Sequence, residues 1–382
     1  MNKKHAIYNL ITLCLAILLI ELVLTLAFPS LLRSRQAVGI PDRVLTHRGN
    51  PEYLEHDRDG FRNPVHMAHA DIVTLGDSQT YGTGVDSEDV WPRQLERLSS
   101  FTVYNMAFGG WGPTHSLILF DEALTLNPDI IIKAFYSGND LYDSYNHVYN
   151  KGQLSELKTS SPDVLETIKY LKKEKSIEKQ IGNKAEAHNG GIFKKINNYL
   201  LQHSNIYAIA SAVYDKLSAA KSVSEPEQAE KYDLTTIFTP EYRLTVLNLD
   251  DARIAEGHRI ALKAINEMND LAKTYHKRFI VVLIPTKEFV FRNYAKNISP
   301  NYDNLIKNEY LMWQATKEYF RKQNIEYFDA GLALEASLLY GIQPYPTTTD
   351  GHPNKDGHSA IARDLLAHLQ RTENETHSSG TK

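Results

Sequence analysis

The sequence of 382 residues contains a single cysteine, Cys14, which lies in an apolar stretch near the N-terminus. One cysteine cannot form an intrachain disulfide or a thiolate metal site. The chain also has no excess of positive charge, since 42 Lys and Arg oppose 46 Asp and Glu for a formal net charge of −4. Without an overall basic surface, nucleic acid is not an expected partner.

Metal-binding patterns are equally scarce among the 15 histidines. His66 and His69 have His-x-x-His spacing, but no cysteine or clear carboxylate cluster lies beside them, so we interpret the pair as a chance occurrence. The His-Glu-x-x-His pattern of zinc hydrolases is missing. We therefore expect no metal and no other cofactor.

One long apolar run is present, from about Ile7 to Phe28, and Lys3 and Lys4 precede it. At about 20 residues it can span a bilayer as a helix. It ends in Leu-Ala-Phe-Pro-Ser, a poor site for signal peptidase, so a cleaved signal peptide is the less favoured alternative. We expect residues 1–32 to be an uncleaved signal anchor that crosses the inner membrane once. The lysines would remain in the cytoplasm and the rest of the chain would lie in the periplasm.

From Asp71 onward, apolar segments alternate with amphipathic ones. We predict strands at 72–75, 102–107, 130–136, 279–284 and 325–329. We predict helices at 90–98, 114–126, 303–321, 332–339 and 357–371, and a long helix between about 250 and strand 279–284. Apolar strands that alternate with amphipathic helices are typical of a parallel sheet covered on both faces.

The alternation stops between residues 146 and 237, where charged stretches and two predicted helices, at 163–173 and 192–217, indicate a helical insertion. A solvated lobe without chemistry is the simpler interpretation, and a lid or a surface for a membrane or partner is the alternative. The α/β domain would then comprise 71–145 and 238–371. A leader segment, 33–70, precedes it, and a disordered tail, 372–382, follows.

Four loops at strand ends or helix starts carry residues that could take part in catalysis: Ser78, Gly109 with Gly110, Asn139, and Asp350 with His352. The carboxyl ends of parallel strands share one edge of a sheet, so these loops are expected to lie together. A serine needs a base such as His352 to act as a nucleophile, and Asp350 can orient that base. Backbone N–H groups and the Asn139 amide can stabilise an oxyanion. Each of these motifs, taken alone, could also be a structural turn, a helix cap or a loop histidine without a catalytic role.

Together the motifs resemble the four blocks of the SGNH (GDSL) hydrolase superfamily. They are Gly-Asp-Ser-Gln-Thr at 76–80, the turn at Gly110, Gly-Asn-Asp at 138–140 and Asp-Gly-His-Pro-Asn at 350–354. The resemblance covers about 71–145 and 278–369. It implies a flavodoxin-like three-layer α/β/α sandwich of about five parallel strands. It also implies a serine esterase or acyltransferase with Ser78, Asp350 and His352 as its triad, and Ser78, Gly110 and Asn139 as its oxyanion hole.

One feature departs from the family pattern. The family usually has Asp-x-x-His, whereas residue 349 is Thr and the acid lies two positions before His352. This spacing is similar to that of a polysaccharide-acetylation branch, so we expect the triad to survive. A second Asp-Gly-His occurs at 356–358, where Asp356 suits a helix N-cap and His358 a packed residue. We therefore prefer His352 as the base.

Several side chains near these loops are candidates for substrate contact, although each also suits packing or capping: Tyr81, Trp111, Tyr136, Asp140, Lys287 and Glu288. Three functions remain open. The first is hydrolysis of O-acyl or O-acetyl esters on a cell-surface glycan, or of a lipid ester. The second is transfer of acetyl to a glycan beside a membrane acyltransferase partner. The third is a scaffold that keeps the fold without turnover.

Overall fold

The computed structural model of the chain describes residues 3–27, 38–174, 206–207, 236–295 and 298–379. Its strands are β1 (Gly39–Pro41), β2 (His47–Gly49), β3 (Ile72–Leu75), β4 (Val103–Asn105), β5 (Ile130–Tyr136), β6 (Arg278–Ile284) and β7 (Glu326–Asp329). The first two form a small antiparallel pair. The other five form one sheet whose neighbouring strands are all parallel. The predicted five-stranded parallel sheet is therefore confirmed, and β3 and β5 have the predicted bounds.

The strand order in this sheet is β4-β3-β5-β6-β7. Numbered within the sheet it reads 2-1-3-4-5, which is the flavodoxin-like order. Ile72 at the start of β3 is in register with Val103 on one side and with Ile130 on the other. The winding direction reverses between β3 and β5, and open α/β sheets bind ligands outside the carboxyl ends of strands at such a point. The residues that follow β3 and β5 are therefore the ones placed for chemistry.

Helices cover both faces of the sheet. Their bounds are α1 (Lys3–Ala27), α2 (Ser78–Tyr81), α3 (Trp91–Leu98), α4 (Pro113–Ile118), α5 (Phe120–Thr125), α6 (Asp140–Tyr145), α7 (Pro162–Glu174), α8 (Pro240–Leu247), α9 (Ala252–Thr274), α10 (Lys287–Val290), α11 (Pro300–Gln323), α12 (Ala330–Leu339) and α13 (Lys355–Ser379). Side chains of β6 alternate between two cores, because successive residues of a strand point to opposite faces. Val281 joins the core that contains Met268 of α9. Val282 joins the core that contains Leu334 of α12 and Leu365 of α13.

Two helical predictions differ from the structure. The helix expected at 114–126 is divided into α4 and α5, and Leu119 lies between them. The last helix is longer than expected, because α13 continues to Ser379 through the segment from Thr372 that is predicted to be disordered. Leu365 and Leu369 anchor the preceding turns in the core, and the polar residues beyond them extend the same helix.

The leader segment packs closely against the α/β domain, and its contacts fix the loops after β3 and β4. The guanidinium of Arg62 donates to the carbonyls of Tyr81 at 3.1 Å and of Gly82 at 2.6 Å. The Asn63 amide donates to the carbonyl of Asn105 at 3.1 Å, at the end of β4. Because charge-assisted and buried hydrogen bonds are costly to break, residues 38–70 help to shape the edge of the sheet where the candidate site lies.

Helix α1 covers most of the segment 1–32 in which a membrane anchor is expected. Many of its side chains lie outside the described part of the chain. Among the residues that are described, no helix has both the length and the apolar character needed to cross a membrane. The transmembrane helix that the sequence predicts is thus not found in the structure.

The insertion is described only in part. The helix predicted at 163–173 corresponds to α7 (Pro162–Glu174). Just before it, α6 continues into a π-helical turn, Asn146–Asn150. The helix predicted at 192–217 lies outside the described residues, apart from positions 206 and 207.

Candidate active site

Ser78 lies in a tight turn between β3 and α2. Gly76 is required there, because a Cβ at this position would lie 2.4 Å from the Thr80 hydroxyl oxygen. The buried carboxylate of Asp77 caps α2 by accepting a hydrogen bond from the Gln79 N–H at 2.9 Å. Such caps satisfy a backbone donor that the first turn of a helix leaves unpaired. The turn thus holds the partly exposed Ser78 side chain at the carboxyl end of β3.

A hydrogen-bonded relay connects Ser78 with His352 and Asp350. The Ser78 Oγ lies 2.8 Å from His352 Nε2. The other ring nitrogen, Nδ1, lies 2.6 Å from Asp350 Oδ1. The side chains of His352 and Asp350 are 21% and 38% exposed, so the relay is accessible from solvent. The structure therefore brings together the three residues that the sequence analysis proposes as a triad.

The chemistry of the partners fixes the direction of each hydrogen bond. An ionised carboxylate only accepts, so His352 Nδ1 carries the proton and donates it to Asp350. Nε2 is then the acceptor for the Ser78 hydroxyl. Burial acts to raise the pKa of Asp350, but hydrogen bonds from the His352 ring and backbone N–H and the charge of Lys287 hold this pKa below its usual value. The acid is therefore ionised at neutral pH, as the relay requires.

The short Asp-x-His spacing is compatible with the relay because of a local turn. Asp350 Oδ1 accepts from the backbone N–H of His352 at 3.1 Å as well as from its ring. A side-chain oxygen that accepts from the N–H two residues later forms an Asx turn. This turn folds the carboxylate back onto the histidine that follows it.

The loop that carries the relay is tied to the domain by Lys287. Its buried ammonium donates to the carbonyls of Ile237 at 2.7 Å, Thr348 at 2.8 Å and Asp350 at 3.0 Å. Burial lowers the pKa of Lys287 to about 8, although Glu288 and Asp350 oppose this. Because all three protons of an ammonium can be donated, the side chain is fully occupied by the backbone that it holds. Lys287 therefore positions the loop and is not free to contact a substrate.

His358 lies apart from the relay. It is completely buried, and its Nδ1 accepts from the backbone N–H of Trp91 at 3.2 Å. Burial lowers its pKa to about 3, so the ring is neutral. The structure thus places His352 beside Ser78, and it places the alternative His358 in the core.

The Gly109-Gly110 turn after β4 lies against the serine. A Cβ added to Gly109 would be 3.8 Å from the Cβ of Ser78. Gly110 has a φ of +78°, a backbone conformation that favours glycine. The N–H of Gly110 belongs to the same peptide unit as the Gly109 carbonyl, and in a trans peptide the two point in opposite directions. The orientation of that carbonyl therefore decides where the Gly110 N–H points.

His47 from the leader segment fixes this peptide unit. Its Nε2 lies 2.7 Å from the Gly109 carbonyl oxygen, and its Nδ1 lies 3.0 Å from the Thr46 hydroxyl. A carbonyl only accepts, so Nε2 donates the proton and holds the carbonyl in place. His47 is a residue that the sequence analysis does not predict, because it lies 62 positions before Gly109 in a polar segment without a motif.

We expect the change His47→Ala to lower kcat for an aryl acetate by about 10-fold, with KM changed less. Loss of a whole oxyanion donor costs about 100-fold to 1,000-fold, and a donor that is only less well oriented should lose part of this. His47→Gln should restore much of the activity, because its amide can also donate to the Gly109 carbonyl. Steady-state kinetics with thermal denaturation as a folding control would test this, and equal kcat for His47→Ala and wild type would contradict it.

Asn139, the third expected oxyanion donor, lies at the start of α6 after β5. Its amide donates to the Asp143 carboxylate at 2.5 Å, and its own Oδ1 is buried and has no hydrogen-bond partner among the described residues. Burial raises the pKa of Asp143 to about 7. An amide has two N–H donors, so one remains for a ligand. The bond to Asp143 fixes which end of the Asn139 side chain carries them.

The four residues predicted to contact substrate are instead interior side chains. Trp111, Tyr136, Asp140 and Lys287 are no more than 2% exposed. The Trp111 indole donates to the His47 carbonyl at 3.0 Å. Asp140 accepts from the Tyr136 N–H at 3.1 Å and lies 3.7 Å from the Lys133 ammonium.

The two further candidates from the sequence analysis are interior as well. Tyr81 and Glu288 are both buried. The Tyr81 hydroxyl lies 2.9 Å from the ring of His56, and Glu288 accepts from the N–H of Thr239 at 2.8 Å. The apolar strands and caps around the site bury these groups, and substrate contact by any of the six stays a prediction.

Arg243 of α8 is a second residue that the sequence analysis does not predict. It donates to the Gly138 carbonyl at 3.0 Å, and its guanidinium lies over the ring of Tyr136. A Cβ on Gly351 would lie 2.6 Å from it, so this glycine allows the arginine to approach. Arg243 thereby joins the loop after β5 to the loop of the relay.

His66 and His69 pair with separate carboxylates, those of Asp59 and Asp71. In the part of the chain that the structure describes, no group of three His, Cys, Asp or Glu side chains is arranged to hold a metal ion.

Comparisons with known proteins give only structural matches. No family model matches the chain, and no curated protein sequence matches it. Among solved structures, a member of the lipolytic protein G-D-S-L family from Veillonella parvula DSM 2008 is 12% identical, with a TM-score of 0.36. That match covers 78% of this chain and 98% of that one.

Two further solved structures are similar. A GDSL-like lipase from Bacteroides thetaiotaomicron VPI-5482 is 10% identical with a TM-score of 0.35, and the match covers 79% of this chain and 88% of that one. A catalytic mutant of Axe2, an acetylxylan esterase from Geobacillus stearothermophilus, is 10% identical with a TM-score of 0.37. That match covers 79% of this chain and 94% of that one. Two of these three structural neighbours are thus described as GDSL-type lipolytic proteins and the third as an acetylxylan esterase.

Proposed function

We propose that this chain is a serine esterase of the SGNH type, with Ser78 as nucleophile, His352 as base and Asp350 as the group that orients the base. The observation that carries the proposal is the relay of 2.8 Å from Ser78 to His352 and 2.6 Å from His352 to Asp350. A serine hydroxyl is a weak nucleophile unless a base accepts its proton, and this arrangement supplies the base.

In the first step, Ser78 Oγ attacks the carbonyl carbon of an ester while its proton moves to His352 Nε2. The negative charge that develops on the carbonyl oxygen is stabilised by the N–H groups of Ser78 and Gly110 and by the Asn139 amide. The alcohol then leaves with the proton from His352, and Ser78 retains the acyl group. Asp350 stays ionised throughout and stabilises the imidazolium.

In the second step, an acceptor attacks the acyl group on Ser78. His352 takes the proton of the acceptor, and the same proton returns to Ser78 Oγ as the bond between serine and acyl carbon breaks. Water as the acceptor gives hydrolysis, and a sugar hydroxyl gives transfer. We propose hydrolysis of an O-acyl ester, such as an O-acetyl ester, as the principal reaction.

The test is turnover of p-nitrophenyl acetate by the purified protein, with and without a polysaccharide acceptor. We expect release of free acetate at a rate that does not depend on the acceptor. Acetyl transfer that requires the acceptor, with little free acetate, would instead favour an O-acetyltransferase working with a membrane acyltransferase partner. No turnover under either condition would favour the non-catalytic scaffold.

We further propose that the domain works outside the cytoplasm, attached to the inner membrane through its N-terminal segment. The apolar run from about Ile7 to Phe28 behind Lys3 and Lys4 is the basis for this location. Protease added to intact spheroplasts should degrade the domain if it lies outside the cytoplasm. Full protection from protease, with digestion only after lysis, would reject this location.

A further inference from the structure

A cavity of about 300 Å³ opens beside the Gly110 turn. Its lining includes His47, Gly110, His115, Asp143, Asn146 and Lys151. These residues come from four parts of the chain: the leader segment, the turn after β4, helix α4, and α6 with the π-helical turn that follows it and its C-cap, Lys151. A π-helical turn is uncommon and often marks a functional site, and here it begins at Asn146.

The cavity adjoins two of the groups proposed to stabilise the oxyanion. Gly110 forms part of its wall, and Asp143, also in the wall, holds the amide of Asn139 at 2.5 Å. A ligand in the cavity would therefore lie beside the turn that carries Gly110 and the helix start that carries Asn139. This position suits the part of the substrate that is attached to the ester.

The cavity presents both acceptors and donors of hydrogen bonds. Asp143 provides carboxyl oxygens. His115 Nδ1 accepts from the Gly112 N–H at 3.1 Å, so its Nε2 carries the proton and is a donor. Asn146 contributes an amide, and the exposed Lys151 contributes an ammonium at the rim.

This composition excludes two classes of ligand. An acyl chain gains free energy by burial against apolar side chains, and polar groups left without partners beside it would be costly. An anion would need positive charge in the wall beside Asp143, but burial lowers the pKa values of His115 and His147, so neither of these two rings supplies it. Sugar hydroxyls both donate and accept, so they can satisfy the amide, the imidazole and the carboxylate together. The volume lies at the lower end of the range for ligand sites, which suits one sugar ring.

We propose that this cavity is a subsite that binds one sugar residue of an acylated glycan, with Asn146, His115 and Asp143 pairing with its hydroxyls and Lys151 at its rim. This inference rests on the proposed esterase function, and it assigns the alcohol part of the ester to carbohydrate in preference to lipid. The acyl group, in this arrangement, lies between the sugar and Ser78.

The experiment compares two acetate esters on the full-length protein: p-nitrophenyl acetate, which has no sugar, and an O-acetylated methyl glycoside. The variants are Asn146→Leu and Lys151→Met, which keep the approximate size of each side chain and remove its polar group. Lys169→Met is the matched control, because Lys169 is exposed on α7 and does not line the cavity. Thermal denaturation checks that each variant is folded.

We expect Asn146→Leu and Lys151→Met to lower the ratio of kcat/KM for the glycoside ester to that for p-nitrophenyl acetate by about 10-fold, since each removes a hydrogen bond to the sugar. Lys169→Met should leave the ratio as in wild type. An unchanged ratio in both cavity variants would overturn the sugar subsite. A gain by Asn146→Leu on p-nitrophenyl octanoate, without a change of the ratio, would also overturn it and would assign the cavity to an acyl chain.

Failure of the proposed esterase function can be distinguished from failure of the sugar subsite by the activity of Ser78→Ala. If Ser78→Ala hydrolysed p-nitrophenyl acetate as fast as wild type, the serine mechanism itself would be rejected. If Ser78-dependent hydrolysis is present and the ratio does not change, only the sugar subsite is rejected.

Discussion

Ser78→Ala is expected to lower kcat/KM for p-nitrophenyl acetate by about 10,000-fold or more. Loss of the nucleophile removes the covalent step, and in serine hydrolases the activity that remains comes from oxyanion stabilisation and binding alone. The Ser78 side chain has one hydrogen bond to His352 and a distant contact of 3.5 Å with Asp77, so its loss should have little effect on stability. Kinetics and a thermal denaturation curve on the same preparation would measure both effects.

The matched control for this prediction is Ser160→Ala, because Ser160 is exposed and lies far along the chain from the relay. It should retain the activity of wild type. Activity of Ser78→Ala within 10-fold of wild type would mean that another group is the nucleophile, or that water attacks the ester directly.

His352→Ala and His358→Ala are expected to separate catalysis from stability. His352→Ala should lower kcat by about 10,000-fold or more, because it removes the base that lies 2.8 Å from Ser78 Oγ. The Asp77 carboxylate lies 3.5 Å from Ser78 Oγ, at the limit of a hydrogen bond, and it already caps α2. Its side chain is partly exposed, so the melting temperature should change little. His358→Ala should retain the kcat of the folded protein.

The cost of His358→Ala should appear in the free energy of unfolding. The substitution leaves the buried N–H of Trp91 without its acceptor, and an unpaired buried donor costs about 1–3 kcal/mol. The opposite pattern, with kcat lost in His358→Ala and kept in His352→Ala, would contradict the assignment of the base. Activity should be compared at equal concentrations of folded protein.

The sheet is predictable from the sequence because its strands are buried on both faces. A strand such as β5 (Ile130–Tyr136) has no solvent-facing side, so its sequence is an apolar run with definite ends in which the buried Lys133 is the one charged residue. The turns after these strands are predictable for a similar reason. Gly76 and Gly110 occupy positions where a side chain is excluded or the backbone favours glycine, and such positions leave a signature in the sequence.

The burial of the candidate substrate contacts could not be predicted, because sequence position does not report the direction of a side chain. Lys287 follows β6 at the edge where ligands bind, which makes it a reasonable candidate. Its ammonium points instead into the domain and holds three carbonyl groups, including that of Asp350. A charged residue near a site can thus hold the backbone of the site in place without facing the ligand.

The contributions of His47 and Arg243 could not be predicted for a different reason. Each acts on a backbone carbonyl: His47 on that of Gly109, and Arg243 on that of Gly138. A carbonyl accepts a hydrogen bond whatever its side chain is, so no motif at the acceptor points to the donor. Contacts of this kind depend on how distant segments pack, and only the folded chain reveals them.

The central claim is that Ser78 is a nucleophile activated by His352, and covalent labelling tests it most directly. A fluorophosphonate probe reacts with activated serines, so we expect one adduct, located by mass spectrometry on the peptide that contains Ser78. The adduct should be absent from Ser78→Ala and should form at least about 100-fold more slowly in His352→Ala, since general-base assistance contributes about 100-fold to 10,000-fold. Undiminished labelling of Ser78→Ala, or no labelling of the folded wild-type protein, would contradict the claim.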